Sequence, residues 1–151
     1  MIQTTSFAGS PALPPIARFP MSIAADNIDR PLVLIVDDDE EIIDLLHLRL
    51  GERYDIVSTN NPRNALKLAR DTGPDLILCD FDMPEMDGTE VSDALRADEE
   101  LRLIPFMFLT ALATTTDMAR MHKQIGGRRA VSKDSPIERI IERIEEMLKP
   151  E

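Results

Sequence analysis

Apolar residues along this chain come in two alternating kinds of run, short solid blocks and longer periodic stretches. The first block is LVLIV at Leu32–Val36, apolar at every position, the signature of a strand covered on both faces. Residues 39–50 then carry Ile42, Ile43, Leu45, Leu46 and Leu50 near helical spacing, which predicts a helix. A second strand is predicted over 54–59. Asn61 followed by Pro62 supplies an N-cap with proline in the first turn, opening a helix to about residue 71 that Gly73 and Pro74 stop.

The block LILC at 76–79 is the third strand, and a loop to Gly88 leads into a helix over 89–97. IPFMFL at 104–109 is the fourth strand, with Pro105 near its start, where a missing N–H donor is tolerated. A helix is predicted over 114–125, ended by Gly126-Gly127. Residues 129–131 give a short, weakly signalled fifth strand. Ile137–Leu148 is the clearest helix, with Ile137, Ile140, Ile141, Ile144, Met147 and Leu148 on one stripe and Glu and Arg opposite.

Five strands interleaved with five helices imply an α/β fold, a doubly wound parallel sheet with helices on both faces. In such open sheets reactive groups gather beyond the carboxyl ends of the strands, at the topological switch point. The residues just after each strand are therefore where chemistry is to be sought.

Composition narrows the picture. Of 151 residues, 43% are hydrophobic and 30% charged, a globular balance. Residues 1–30 hold Pro11, Pro14, Pro15 and Pro20 among small and polar neighbours, with no sustained period and no signal-peptide order. They read as a flexible leader, and residues 31–151 as the folded domain. Residues 31–151 also carry the whole net charge of −11, with 15 Lys and Arg against 26 Asp and Glu. That balance argues against nucleic acid as a direct ligand. No apolar run reaches the 18 or so residues of a transmembrane helix. A single cysteine, Cys79, excludes an intramolecular disulfide framework and a Cys-rich zinc site, and a reducing cytoplasm is the default setting.

The strand ends are rich in chemistry. Strand one runs into Asp37, Asp38 and Asp39; strand three into Asp80, with Asp82 two residues on; strand four into Thr110; strand five into Ser132 and Lys133. Clustered carboxylates repel and raise one another's pKa unless a cation intervenes. Oxygen ligands of this kind suit Mg²⁺. A metal beside a nucleophilic carboxylate and a lysine suits phosphoryl transfer, where catalysis is mostly positioning and charge neutralisation.

VDDDEE after an apolar strand, then DLILCDFDMPEMDG, then PFMFLTA, then a single Lys after strand five resembles the receiver domain of two-component response regulators. The resemblance covers residues 32–148, and the D-x-x-M-P-x-x-D-G stretch from Asp80 to Gly88 is its most specific part. It implies a flavodoxin-like strand order 2-1-3-4-5. It also implies that Asp80 is the phosphoacceptor, attacking the phosphohistidine of a sensor histidine kinase or phosphotransfer protein. By the same resemblance Asp37 and Asp38 hold Mg²⁺, Asp38 the more directly, and the backbone carbonyl of Asp82 completes the protein's share. Thr110 bonds a phosphoryl oxygen, and Lys133 pairs with the phosphoryl group and, before phosphorylation, with Asp80. Only Lys149-Pro150-Glu151 follow the last helix: if the chain is whole, the expected output is partner binding by a single-domain regulator, and if it is a fragment, the tail joins an output domain.

Plainer readings stand beside these. An acidic run such as Asp37–Glu41 is favourable in any first helical turn, and Asp39, Glu40 and Glu41 keep that reading. Thr110 could be a strand-end cap and Lys133 a solvated lysine. Asp87 reads as a turn residue with Gly88, Cys79 as buried apolar filler, and the eight methionines as core. His47 and His122 read as solvent-facing helix positions.

Two departures from the family pattern stand out. The family follows its lysine with a proline in a cis peptide; here Asp134 follows, and a non-proline cis bond costs about 2.5–4 kcal/mol, so a trans peptide is expected and the reach of Lys133 is open. The family places Tyr or Phe three residues before the lysine; here it is Ala130, with no ring to move when Thr110 moves. Residues 126–129 (Gly, Gly, Arg, Arg) read as basic and flexible. Two other classes remain as alternatives. One is a degenerate receiver acting as a phosphorylation-independent interaction module. The other, more remote, is a haloacid-dehalogenase-type phosphatase built on Asp80-Phe81-Asp82, although Pro84 stands where that motif has Thr or Val.

Overall fold

The computed structural model describes residues 29–111 and 128–149. The helix expected over 114–125 with its Gly126-Gly127 stop, His122 and all but the last two residues of the leader lie outside the described residues.

Five strands form one parallel sheet: β1 (Leu32–Val36), β2 (Asp55–Thr59), β3 (Leu76–Asp80), β4 (Phe106–Thr110) and β5 (Arg129–Ser132). Their order is β2-β1-β3-β4-β5, which is 2-1-3-4-5. The described helices are α1 (Glu40–Leu50), α2 (Ala65–Thr72), α3 (Gly88–Arg96) and α4 (Ile137–Leu148). Short 3₁₀ turns at Pro62–Asn64 and Leu101–Leu103 lead into α2 and β4.

Alternation along each strand sends successive side chains to opposite faces, and the core divides accordingly. Val33, Ile35 and Leu78 lie with Leu46, Leu50, Ile140 and Ile144 under α1 and α4. Leu34, Val36, Ile77 and Cys79 lie with Ala65, Ala69, Val91 and Leu95 under α2 and α3. β1, β3 and β4 are buried at every position, which is why their sequences are unbroken apolar blocks rather than alternating ones.

The helix ends follow local chemistry. Asp39 caps α1, its side chain accepting from the Glu41 amide at 2.9 Å, with Glu40 and Glu41 in the first turn where negative charge is favoured. Asn61 accepts from the Arg63 amide at 3.0 Å, but the turn it opens is 3₁₀ before α2 begins. Gly73 ends α2 at φ 60°, its amide bonded to the Ala69 carbonyl, a left-handed conformation that glycine adopts without steric cost.

Some expectations are corrected. Leu45 does not join the buried stripe of α1; it is 46% exposed, while Ile43, Leu46 and Leu50 are buried. Positions 43, 46 and 50 fall on one helical face, and Leu45, two residues from Ile43, points away from it. β4 begins at Phe106, leaving Pro105 just outside the ladder, where its carbonyl still accepts from Ile77 N–H. Asp87 is a helix cap rather than a turn residue, for reasons given below.

Candidate functional site

The parallel register brings the carboxyl ends of β1, β3, β4 and β5 side by side. Val36 pairs with Cys79, Asp80 with Leu109 and Thr110 with Ser132. Residues that follow these strands therefore share one edge of the sheet, although they lie almost a hundred positions apart in sequence.

Asp37 is fully buried and Asp80 and Thr110 nearly so, at 4% and 2% exposure. Lys133 reaches in from beyond β5. Its Nζ lies 2.9 Å from Asp37 Oδ2 and 3.1 Å from Asp80 Oδ1. The expected trans geometry holds, with no cis peptide among the described residues, and the lysine reaches both carboxylates nonetheless. Its amide donates to the Thr110 carbonyl at 2.7 Å, which ties the loop after β5 to the end of β4.

Backbone donors orient the two carboxylates. The Asp39 amide donates to Asp37 Oδ1 at 2.9 Å, and the Asp82 amide lies 3.3 Å from Asp80 Oδ1. The Asp82 side chain itself is exposed. Thus Asp82 enters the site through its backbone, and its carboxylate stays outside the cluster.

The electrostatics match the crowding. Burial, together with the Asp37 charge, pushes the Asp80 carboxyl up to about 7, against the pull of Lys133. For Lys133 burial alone would lower the pKa, but Asp37 and Asp80 more than offset it and the net direction is upward. Both follow the general rule that burial disfavours a charge and a close opposite charge restores it.

One carboxylate oxygen from each of Asp37, Asp38 and Asp80 can be chosen so that all lie within 4.8 Å of one another. Asp37 Oδ2 is buried and faces the Lys133 ammonium at 2.9 Å. A hard divalent cation with its waters would find three carboxylate oxygens within reach of one another and would relieve the repulsion between them. The donor set fits Mg²⁺.

The rear wall of the site is glycine. A Cβ on Gly88 would lie 2.4 Å from the Asp80 carbonyl oxygen, 2.8 Å from the Phe108 ring and 3.0 Å from Phe81 Cα. Its amide donates to the Phe81 carbonyl at 3.0 Å. The loop from 81 to 87 can fold back on β3 because this position has no side chain. Asp87 then caps α3 with a full capping box: its Oδ1 accepts from Glu90 N–H, and Glu90 Oε1 accepts from Asp87 N–H. The D-x-x-E spacing of 87 and 90 was the available sequence signal.

A profile for the response regulator receiver domain matches residues 33–145. The chain belongs to this receiver family. Among its relatives, the polar-differentiation response regulator DivK of Brucella anthropi is 40% identical over 117 residues, covering 77% of this chain and 94% of the relative. The DivK of Brucella ovis matches to the same extent. Among solved structures, the chemotaxis protein CheY4 of Vibrio cholerae superposes with a TM-score of 0.70 at 25% identity, covering 79% of this chain and 99% of that one. A receiver domain from a signal-transduction histidine kinase of Syntrophus aciditrophicus gives 0.68 at 30% identity, covering 78% and 89%. The five-stranded order expected from the resemblance is the one observed, and receivers are regulatory domains of two-component signalling. Against the phosphatase alternative, the Asp80-x-Asp82 pair follows β3, whereas that motif sits on the first strand.

Within this receiver the remaining expectations resolve in different ways. Cys79 is buried and unpaired in any disulfide, and burial pushes its thiol pKa well up. His47 is exposed, with a ring nitrogen 3.1 Å from Ser58 Oγ. Met83 and Met107 are buried in the core. Ala130 is half-buried beside the α2–α3 core. Arg128 does not behave as part of a loose basic loop. Its guanidinium lies 4.5 Å over the Phe106 ring and its Nε donates to Ser92 Oγ at 2.7 Å, pinning the entry of β5 to α3. No helix among the described residues is long and apolar enough to cross a membrane.

Proposed function

We propose that this receiver accepts a phosphoryl group on Asp80 from the phosphohistidine of a sensor histidine kinase or phosphotransfer protein, and relays its state by binding an output protein. The observation that carries this reading is Lys133 bridging Asp37 and Asp80 at 2.9 and 3.1 Å. It holds a buried nucleophilic carboxylate beside a cation able to follow the incoming charge.

In the forward step an Asp80 carboxylate oxygen attacks phosphorus. The new P–O bond forms as the phosphohistidine N–P bond breaks, and the imidazole leaves with its electron pair and is protonated. Lys133 transfers its pairing from the carboxylate to the phosphoryl oxygens, and the Thr110 hydroxyl donates to one of them. Asp37, Asp38, Asp80 and the Asp82 carbonyl would hold Mg²⁺, which supplies neutralisation of the phosphoryl charge when bound. The same groups serve dephosphorylation: water attacks phosphorus, the Asp80 O–P bond breaks, and phosphate and a proton leave as the Asp80 carboxylate is restored. In this reading residues 31–151 form the receiver, residues 1–30 a leader, and the buried thiol of Cys79 suits a cytoplasmic setting.

The test is intact-protein mass after incubation with acetyl phosphate, with and without Mg²⁺, on wild type and Asp80→Asn. A single labile, Mg²⁺-dependent phosphoryl adduct that is absent from Asp80→Asn is expected. If neither an adduct nor a spectral change with beryllofluoride is seen, the protein is instead a phosphorylation-independent interaction module.

A further inference from the structure

Lys133 leaves β5, yet one of its two partners lies at the end of β1. In the order β1-β3-β4-β5 that is three strand spacings, roughly 14 Å, more than the four-carbon stem of a lysine covers by itself. The path of the backbone just after β5 therefore bears on the reach, because the stem is flexible and the turn that carries Lys133 decides where the ammonium starts from.

Three hydrogen bonds hold it. Lys133 N–H donates to the Thr110 carbonyl at 2.7 Å, and Ser135 N–H donates to the Ser132 carbonyl at 3.1 Å, closing a four-residue turn with Lys133 and Asp134 at its centre. The third is from a side chain: Ser132 Oγ accepts from Asp134 N–H at 3.1 Å. That donor exists only because residue 134 is not proline. Ser132 is also the last residue of β5, in register with Thr110, so its hydroxyl joins the rigid sheet to the centre of the turn.

We propose that Ser132 is a positioning residue: its hydroxyl fixes the turn that carries Lys133 across β4 to Asp37 and Asp80. The activity arm of its test rests on the phosphoacceptor reading above; the stability arm does not.

The experiment is a double-mutant cycle on the full chain with Ser132→Ala, Lys133→Met and the pair, plus Ser132→Thr as the conservative variant. Thermal unfolding is followed without Mg²⁺, and the initial rate of labelling by acetyl phosphate with Mg²⁺ is followed by intact mass. Ser132→Ala is expected to lower the midpoint by a few degrees in the Lys133 background and to change it little in the Lys133→Met background. It is expected to slow labelling roughly three- to tenfold, the scale of one lost hydrogen bond, with Ser132→Thr restoring most of the rate. Equal loss of stability in both backgrounds would overturn the proposal, since the hydroxyl would then act on the loop regardless of the lysine. Ser132→Ala indistinguishable from wild type in both measurements would overturn it as well. Coupled midpoints in a wild type that takes no label would leave the positioning role standing and remove the phosphoacceptor reading.

Discussion

Asp80 is a carboxylate that the folded chain makes uncomfortable. It is 4% exposed and faces Asp37, and its pKa rises to about 7 against roughly 3.9 in an unfolded chain. Between those values the folded state binds more protons than the unfolded one, so stability falls as pH rises across that window. Without Mg²⁺, Asp80→Asn is therefore expected to be more stable than wild type at pH 8, on the order of 1–2 kcal/mol once the remaining Lys133–Asp37 pair is allowed for. Urea unfolding of both proteins in a chelator, at pH 5 and pH 8, checks this: the difference should shrink at the lower pH. A wild type more stable than the variant at pH 8 would mean that the Lys133 pairing outweighs burial. Mg²⁺ acts in the opposite direction, stabilising the state that binds it. It should raise the wild-type midpoint by a few degrees and leave Asp37→Asn/Asp38→Asn unmoved, as read by calorimetry.

At the scale of elements, the start of α3 is where local sequence and the site meet. Asp87→Ala removes a capping box and should cost about 0.5–2 kcal/mol, while Asp87→Asn keeps the cap. The Asp87 carboxyl is held below its usual range mainly by Thr89. Its contribution is thus present above the unfolded carboxylate range and is lost as pH falls through the lowered value, a dependence the Asn variant should lack in acid unfolding. Gly88→Ala runs against helix propensity. An ordinary glycine-to-alanine change inside a helix gains up to about 1 kcal/mol, but here the added Cβ meets the Asp80 carbonyl at 2.4 Å. A loss of about 1–3 kcal/mol and slower labelling are expected, measured by urea unfolding and intact mass.

These elements also show what was legible beforehand. β1, β3 and β4 could be read because burial on both faces leaves solid apolar blocks, and Asp37, Asp80 and Thr110 because they directly follow such blocks; Lys133, after the half-exposed β5, was legible through the family resemblance. Gly88 reads as a loop end and the last residue of a family motif, without its physical reason, since a missing Cβ matters through a carbonyl eight residues back that spacing does not reveal. Ser132 is legible in the sequence at the end of strand five but its role is not, because a serine before a lysine has no pattern of its own; its meaning lies in a turn. The spacing of five apolar residues predicts α1 but not which of them the sheet covers, and Leu45 falls outside that face.

Across the whole molecule, the elements that cover one face of the sheet are tied together at a distance from the site as well. The buried Tyr54, between α1 and β2, donates its hydroxyl to Glu145 on α4, and burial together with that carboxylate pushes the phenol pKa up. Tyr54→Phe should cost about 1 kcal/mol and leave labelling by acetyl phosphate unchanged, which separates global tethering from the site. Ile144→Ala, at a fully buried position on the inner face of the same helix, should cost about 2–5 kcal/mol.

The strand order has a consequence for the life of the chain during synthesis. Asp37 and Asp80 emerge from a ribosome well before Lys133, and parallel strands pair only across long stretches of sequence, which slows their assembly. Until β5 joins the edge of the sheet, a partly made or clipped chain holds two crowded carboxylates and no lysine to reconcile them. In the phosphoacceptor reading, competence therefore waits on β5, and a chain cut before Lys133 is expected to take no label from acetyl phosphate.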